Sequence, residues 1–345
     1  MINDEAAGER LLLELRARDA WNERDYEGAQ RFAEELAHAT QRIGDDLGWW
    51  NATFLVSESL RKQGRVRDSR QVAETLSRSP LTLESDALRA RVSILLSLAL
   101  QSSGELAPAV SAARDAVTYA VGNPGDISVE VDARNVLVAS LADSDQLDAA
   151  WDECHALDDL LRLQPGSRYR GQSYWAIGNV AFLLRHIEEG VAYQQLAAAN
   201  LSPINDLDLW ARFNRGSAQF RLAAGVVEPE TLECIERAEL ANSIVGGTDR
   251  DREELKLTRA HWLVLTGQLA TSADLLRAVV ANRDLVASHT AAQAHFLLGQ
   301  ALSGLGDKAE ATTNLELSEE LFLQSGAEDR AAAARELIES LRRPE

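Results

Sequence analysis

A short turn motif recurs along the chain every 39–43 residues, and this period constrains the fold more than any other feature. The motif is a turn, an apolar residue and a small residue three positions later, as in Gly64-Arg65-Val66…Ser69. Its copies begin at residues 24, 64, 104, 145, 185, 224, 267 and 306, and the copy at Ala224-Gly225-Val226 is degraded. A fixed period in this range is typical of a solenoid, in which each unit contacts only its neighbours. We therefore predict one elongated array of repeats.

Each turn motif lies between two segments with the helical period, which we call helix A (before the turn) and helix B (after it). In residues 294–317, for example, apolar residues recur at three- and four-residue steps on both sides of Gly304–Asp307. Gly readily adopts the positive φ that ends a helix, and Asp307 can cap the next one. Each repeat is therefore predicted to be a helical hairpin.

A small or slim residue lies seven positions before each turn motif. Two helices approach closely only where their side chains are short, so this residue is predicted to face the small residue of the motif at the crossing of helices A and B. The helix-A residues are Ala17, Ser57, Ser97, Val138, Gly178, Ser217, Ala260 and Gly299.

The hairpins resemble the tetratricopeptide repeat. The matching features are apolar–small pairs such as Ile177-Gly178 and Leu298-Gly299, an apolar residue three positions further, and the turn followed by a small residue. The resemblance covers residues 10 to about 325. The common repeat has about 34 residues, whereas the extra residues here fall in loops such as 122–125 and 163–166. Longer repeats of this kind resemble those of bacterial regulator sensing domains, peptide-pheromone receptors of Gram-positive bacteria and kinesin light chains.

The resemblance implies an all-α fold, a right-handed α-solenoid of about eight tetratricopeptide-like hairpins over residues 1–326. Residues 327–345 are expected to form a capping helix and a frayed tail, because residues 329–338 combine a polar face with an apolar stripe. The sixth repeat is irregular, since Val227-Glu228-Pro229-Glu230 lengthens its turn. Residues 224–231 are expected to bulge, either as a local insertion or as a hinge between two halves.

Composition and motifs exclude several classes of function. The net charge of −19 argues against non-specific binding to nucleic acid or to anionic membranes. No signal peptide or membrane-spanning apolar run is visible, which is typical of a soluble cytoplasmic protein. The sequence contains no catalytic, nucleotide-binding or metal-binding motif, and the two cysteines, Cys154 and Cys234, are predicted to pack in the interior. We predict a protein without enzymatic activity or cofactor.

In tetratricopeptide proteins the A helices line the concave groove, and the resemblance implies the same here. The groove positions lie six and three residues before the small residue of helix A, and one and four after it. Asn and Gln recur there, and a carboxamide can bond both the N–H and the C=O of an extended peptide. Charges are mixed, for example Glu14, Arg18, Glu58 and Arg61, so the stripe does not predict the sign of a ligand. The predicted peptide-binding residues are Asn51, Arg91, Asn135, Gln172, Trp175, Asn179, Phe182, Asn214 and Arg221.

Two functional hypotheses follow. The first is a scaffold that holds an extended peptide or protein segment in the groove. The alternative is a ligand-responsive sensing domain of a bacterial transcriptional or signalling regulator whose effector domain is absent from this chain, because the first repeat begins near Glu9. The sequence specifies neither the partner nor the oligomeric state.

Overall fold

The structure is a computed structural model that describes residues 2–121, 127–163, 169–204, 206–324 and 327–343, with side chains from Gly8 onward. Every regular element within these ranges is a helix, and the predicted all-α fold is confirmed. The helices are α1 (Ile2–Asn22), α2 (Tyr26–Arg42), α3 (Asp46–Lys62), α4 (Val66–Ser77), α5 (Pro80–Glu84), α6 (Asp86–Ser102), α7 (Leu106–Val121), α8 (Ile127–Asp143), α9 (Leu147–Leu163), α10 (Arg170–Leu183), α11 (Ile187–Asn200), α12 (Leu207–Ala223), α13 (Pro229–Val245), α14 (Asp249–Leu265), α15 (Leu269–Ala281), α16 (Ser288–Leu305), α17 (Lys308–Gln324) and α18 (Glu328–Arg342).

Three sequence predictions lie outside the described residues: the loops at 122–125 and 164–166, the boundary at 326, and the end of the tail at Pro344–Glu345. The eight A helices are α1, α3, α6, α8, α10, α12, α14 and α16, and each is followed directly by its B helix. The sixth turn is the longest of the described hairpin turns, since α12 ends at Ala223 and α13 begins only at Pro229. Pro229 and Glu230, which were predicted to lengthen the turn, already belong to α13.

Every hairpin turn contains one residue in the left-handed conformation. The φ angle is +78° at Gly64 and +79° at Gly104, and non-glycine residues take the same role at Arg24 (+63°), Asp145 (+59°) and Arg185 (+64°). The next residue then donates its N–H back into helix A, as Arg65 does to the carbonyl of Leu60 at 2.9 Å. This is the hydrogen bond of a Schellman motif, and it directs the chain into helix B.

The small residues lie at the helix crossings, as predicted. Ser57 and Ser69 are fully buried, and each hydroxyl donates to the other residue's carbonyl, at 2.9 and 2.8 Å. Ser272 donates to the carbonyl of Ala260 at 2.9 Å in the same way. A Cβ added at Gly299 would lie 2.5 Å from the side chain of Leu315. The backbones of helices A and B therefore touch directly, with no room for larger side chains.

The chain divides into two compact units, Met1–Val180 and Ala181–Glu345. The division falls inside α10 and not at the irregular turn of residues 224–228. In the first unit, which we call the N-terminal unit, α3 contacts α6 and α6 contacts α8, so successive A helices pack side by side. In the second, the C-terminal unit, α12, α14 and α16 repeat this arrangement.

The last helix covers the end of the C-terminal unit. Helix α18 contacts α17 and buries Ala331, Ala334 and Ile338. Its opposite face is charged, and Arg335 pairs with Glu319 of α17 at 2.6 Å. Helix α18 thus has one apolar stripe packed on the unit and one charged face.

The left-handed turn can be tested with two Gly→Ala substitutions that add the same methyl group. A Cβ at Gly64 or at Gly8 meets nothing within 4 Å, but only Gly64 has a positive φ. We expect Gly64→Ala to lower the free energy of unfolding by about 1–2 kcal/mol, because an L-residue is strained in this conformation. Gly8→Ala, inside α1, should be neutral or stabilise by up to about 1 kcal/mol. Urea unfolding followed by circular dichroism measures both; equal effects would contradict the turn geometry.

Candidate functional site

The A helices of the N-terminal unit present six of the predicted binding residues at least partly to solvent. Asn51 on α3 and Gln172 on α10 are exposed, and the remaining four side chains are half-buried. We call these residues the A-helix face: Asn51, Arg91, Asn135, Gln172, Trp175 and Asn179.

Arg91 is held on this face by an aromatic platform. Its guanidinium lies 4.8 Å from the ring centre of Trp50 and 4.4 Å from that of Phe54, and the two rings stack at 5.3 Å. Trp50 is fully buried and donates its indole N–H to Thr82 at 2.8 Å, which fixes the platform. Arg91 also approaches the Oδ1 of Asn51 at 3.4 Å. Since the platform orients Arg91, its donors are in place before any ligand arrives.

Carboxamides on the A helices of this unit are tied to the next repeat. The Nδ2 of Asn135 donates to the Oγ of Ser173 at 2.8 Å, which joins α8 to α10. The Nε2 of Gln101 donates to the carboxylate of Asp143 at 2.6 Å, which joins α6 to α8. These bonds fix the amide planes relative to the helices.

Two of the amides keep an unused acceptor. Among the described residues, the buried Oδ1 atoms of Asn135 and Asn179 have no hydrogen-bond partner. A buried acceptor left without a donor costs about 1–3 kcal/mol. Both oxygens are covered by neighbouring atoms, so a ligand N–H would reach them only after the side chain turned outward.

The charges near the face are mixed, in agreement with the sequence. Burial raises the pKa of Glu58 above its ordinary value, while the charges of Arg61 and Arg91 act in the opposite direction. Burial also lowers the pKa of Arg61, and Glu58 opposes that effect. The pair therefore leaves little net charge on α3, and the face does not select a ligand by overall sign.

A cavity of about 300 Å³ opens beside the A-helix face, between α1, α2 and α3. Asn51 lines both the cavity and the face. Other lining residues are Arg10, Glu14, Arg18, Trp21 and Leu55. Glu14 and Arg18 were expected on the groove stripe, whereas Trp21 was not among the predicted residues. The signal was present, because Trp21 lies four residues after Ala17, at a groove position of the first repeat.

Three predicted binding residues are buried in the C-terminal unit, and their prediction as groove residues is wrong. Phe182 is 3% exposed, and its ring fills the space over Gly190, where an added Cβ would lie 2.8 Å from it. Asn214 is fully buried and donates to the carbonyl of Trp210 at 2.8 Å. Arg221 is 4% exposed and donates to Gln194 at 2.7 Å. Packing within the unit thus removes these side chains from the surface.

The described part of the chain offers neither a metal-binding cluster nor a reactive cysteine. No group of three His, Cys, Asp or Glu side chains there could hold a metal ion. Cys154 and Cys234 are free and buried, as predicted. Burial raises the pKa of Cys154 to about 12, so its thiol is a poor nucleophile. No described helix combines the length and the apolar character that crossing a membrane requires.

No protein-family model matches the sequence, and no curated protein matches it either. Solved structures do resemble it. A Rap protein complexed with competence and sporulation factor has a TM-score of 0.61 and 10% identity, covering 98% of this chain and 98% of that one. The apo form of RapI has a TM-score of 0.59 and 11% identity, covering 80% of this chain and 98% of that one. A tetratricopeptide repeat protein from Parabacteroides merdae has a TM-score of 0.52 and 14% identity, covering 85% of this chain and 99% of that one.

Sequence identities this low do not indicate a shared function, so the similarity to these structures concerns the fold alone. The neighbours are tetratricopeptide-like helical repeat proteins, and the fold predicted from the 40-residue period is confirmed. The chain is an all-α solenoid of tetratricopeptide-like hairpins.

Proposed function

We propose that the protein is a non-enzymatic scaffold that binds an extended peptide or protein segment along the A-helix face of the N-terminal unit. The observation that carries this proposal is the pair of amides Asn135 and Asn179, whose buried Oδ1 atoms have no partner among the described residues. The comparison gives independent support, since a structure with the same fold is a Rap protein complexed with competence and sporulation factor.

The spacing of the helices suits an extended backbone. Packed helices lie about 8–10 Å apart, and an extended chain advances about 3.3 Å per residue. Each A helix would then meet about every third residue of the segment. The face formed by α3, α6, α8 and α10 would span on the order of ten residues.

Each side chain has a defined part in this arrangement. Asn51, Asn135 and Asn179 bond the peptide backbone, which makes the interaction largely independent of the ligand's side chains. Arg91, fixed on Trp50 and Phe54, donates to a backbone carbonyl. Half-buried Trp175 offers an aromatic surface for one side chain of the segment.

Removing the two amides tests the proposal. The probe is a fluorescein-labelled peptide, enriched from a random-sequence library on the full-length chain. We expect Asn135→Ala with Asn179→Ala to weaken its binding about 5- to 150-fold, because two hydrogen bonds of about 0.5–1.5 kcal/mol each are lost. Fluorescence anisotropy measures the Kd, and thermal unfolding monitors stability.

The matched control removes two amides from B helices of the same unit. Gln41 on α2 and Gln71 on α4 are exposed, and the double variant Gln41→Ala, Gln71→Ala should bind the probe like the unchanged protein. Equal Kd values for both double variants, or a library that yields no binding peptide, would refute binding through the A-helix face.

A second candidate function is a ligand-responsive sensing domain. It is favoured by the hydrogen bonds that join neighbouring A helices: Asn51 with Arg91, Gln101 with Asp143, and Asn135 with Ser173. A peptide that competes for these side chains would change the contacts between repeats. Small-angle X-ray scattering with the saturating selected peptide should then show a changed radius of gyration. Identical scattering curves with and without peptide would contradict the sensing function, and the scaffold function would be the one candidate left.

A further inference from the structure

We propose that the cavity between α1, α2 and α3 is an anchor pocket that receives one aromatic side chain of the bound segment. This inference rests on the proposed peptide-binding function and names the chemistry that the site selects.

The floor of the cavity is apolar. Ala17, Leu36 and Ala52 line it and are at most 8% exposed. The volume of about 300 Å³ lies at the lower end of the range for small-molecule sites. It suits one large side chain and is too small for a folded element. An apolar floor of this kind disfavours a polar or charged guest.

The rim carries groups that attract an aromatic ring. Trp21 is half-buried and offers an aromatic partner. Arg18 is exposed and makes no ion pair or hydrogen bond with any described residue. Arg10, by contrast, is held by Asp45 at 3.3 Å. A guanidinium without a carboxylate partner is available to lie over the face of a ring.

The same unit already uses this pairing elsewhere. Arg91 lies over Trp50 and Phe54, and Arg31 lies over Phe32 at 4.8 Å. An acidic side chain is less suited to the cavity, because Glu14 lines its wall and would repel a second carboxylate. Arg10 already forms an ion pair with Asp45. The charges that face the cavity thus nearly balance. A neutral aromatic ring can therefore contact Arg18 without displacing a carboxylate from it.

The position of the cavity connects it to the peptide path. Asn51 belongs both to the cavity lining and to the A-helix face. A segment whose backbone reaches Asn51 can therefore turn one side chain into the cavity. Because binding sites gain most of their free energy from a few buried aromatic contacts, this position would set the preference among segments.

The pocket can be probed with single-residue ligands. The protein contains seven tryptophans, and nitrogen-15 labelling makes their indole N–H signals visible by NMR. The Trp21 signal is assigned with Trp21→Phe. N-acetyl-L-tryptophanamide should shift it in a saturable way, and N-acetyl-L-leucinamide should bind about tenfold more weakly. The signal of Trp151, on α9, should not move with either compound.

Two variants of the pocket and one control sharpen the test. Arg18→Ala should weaken binding of the tryptophan amide about three- to tenfold, and Glu14→Trp, which places a ring in the cavity, should abolish it. Arg67→Ala removes an equally exposed arginine from α4 and should leave binding unchanged. Circular dichroism confirms that each variant is folded. Equal binding of the leucine and tryptophan amides, no Trp21 shift, or insensitivity to both pocket variants overturns the anchor pocket.

The outcome separates this inference from the proposed function. N-acetyl-L-tryptophanamide is too short to extend along the A-helix face. The double variant Asn135→Ala, Asn179→Ala should therefore bind it like the unchanged protein. If library peptides bind but the probes do not shift Trp21, the anchor pocket fails and the scaffold function stands. If the probes bind and no library peptide does, the scaffold function fails and the pocket remains.

Discussion

The close crossing of helices A and B is the contact on which the rest of the structure depends. It needs short side chains on both helices, as at Ser57 and Ser69, whose hydroxyls bond directly to the opposite backbone. It also needs a turn that reverses the chain within a few residues, which the left-handed residue supplies. With both in place, the hairpin closes, and within each unit A helices such as α6 and α8, or α12 and α14, lie side by side. The A-helix face is therefore a consequence of the crossings between helices A and B.

The A-helix face combines rigid positioning with incomplete satisfaction of its polar atoms. The donor of Asn135 is used to tie α8 to α10, while its acceptor has no partner among the described residues. Arg91 is likewise fixed by two rings before it meets a ligand. Fixing these groups in advance reduces the entropy that binding would otherwise cost. The unsatisfied acceptors lower the stability of the fold, and the fully buried Asn214 has one as well.

The repeating features of the fold could be predicted because each one is local. A left-handed turn requires a permissive residue at one position, and a crossing requires small residues at two, so counting along the sequence finds them. The same counting located Asn51, Asn135 and Gln172 on the surface. It failed at Phe182, Asn214 and Arg221, because their burial depends on Gly190, Gln194 and neighbouring packing that follow no period. The cavity was not predicted for a similar reason: it is bounded by three helices, and only part of its lining lies on the counted stripe.

The most direct measurement is a crystal structure of the chain bound to a peptide selected from a random library. We predict an extended peptide on the A helices of the N-terminal unit, with backbone groups within hydrogen-bond distance of Asn51, Asn135 and Asn179, and with Arg91 still on its aromatic platform. A peptide bound to the B helices, or one that touches the A helices without engaging these amides, would contradict this prediction.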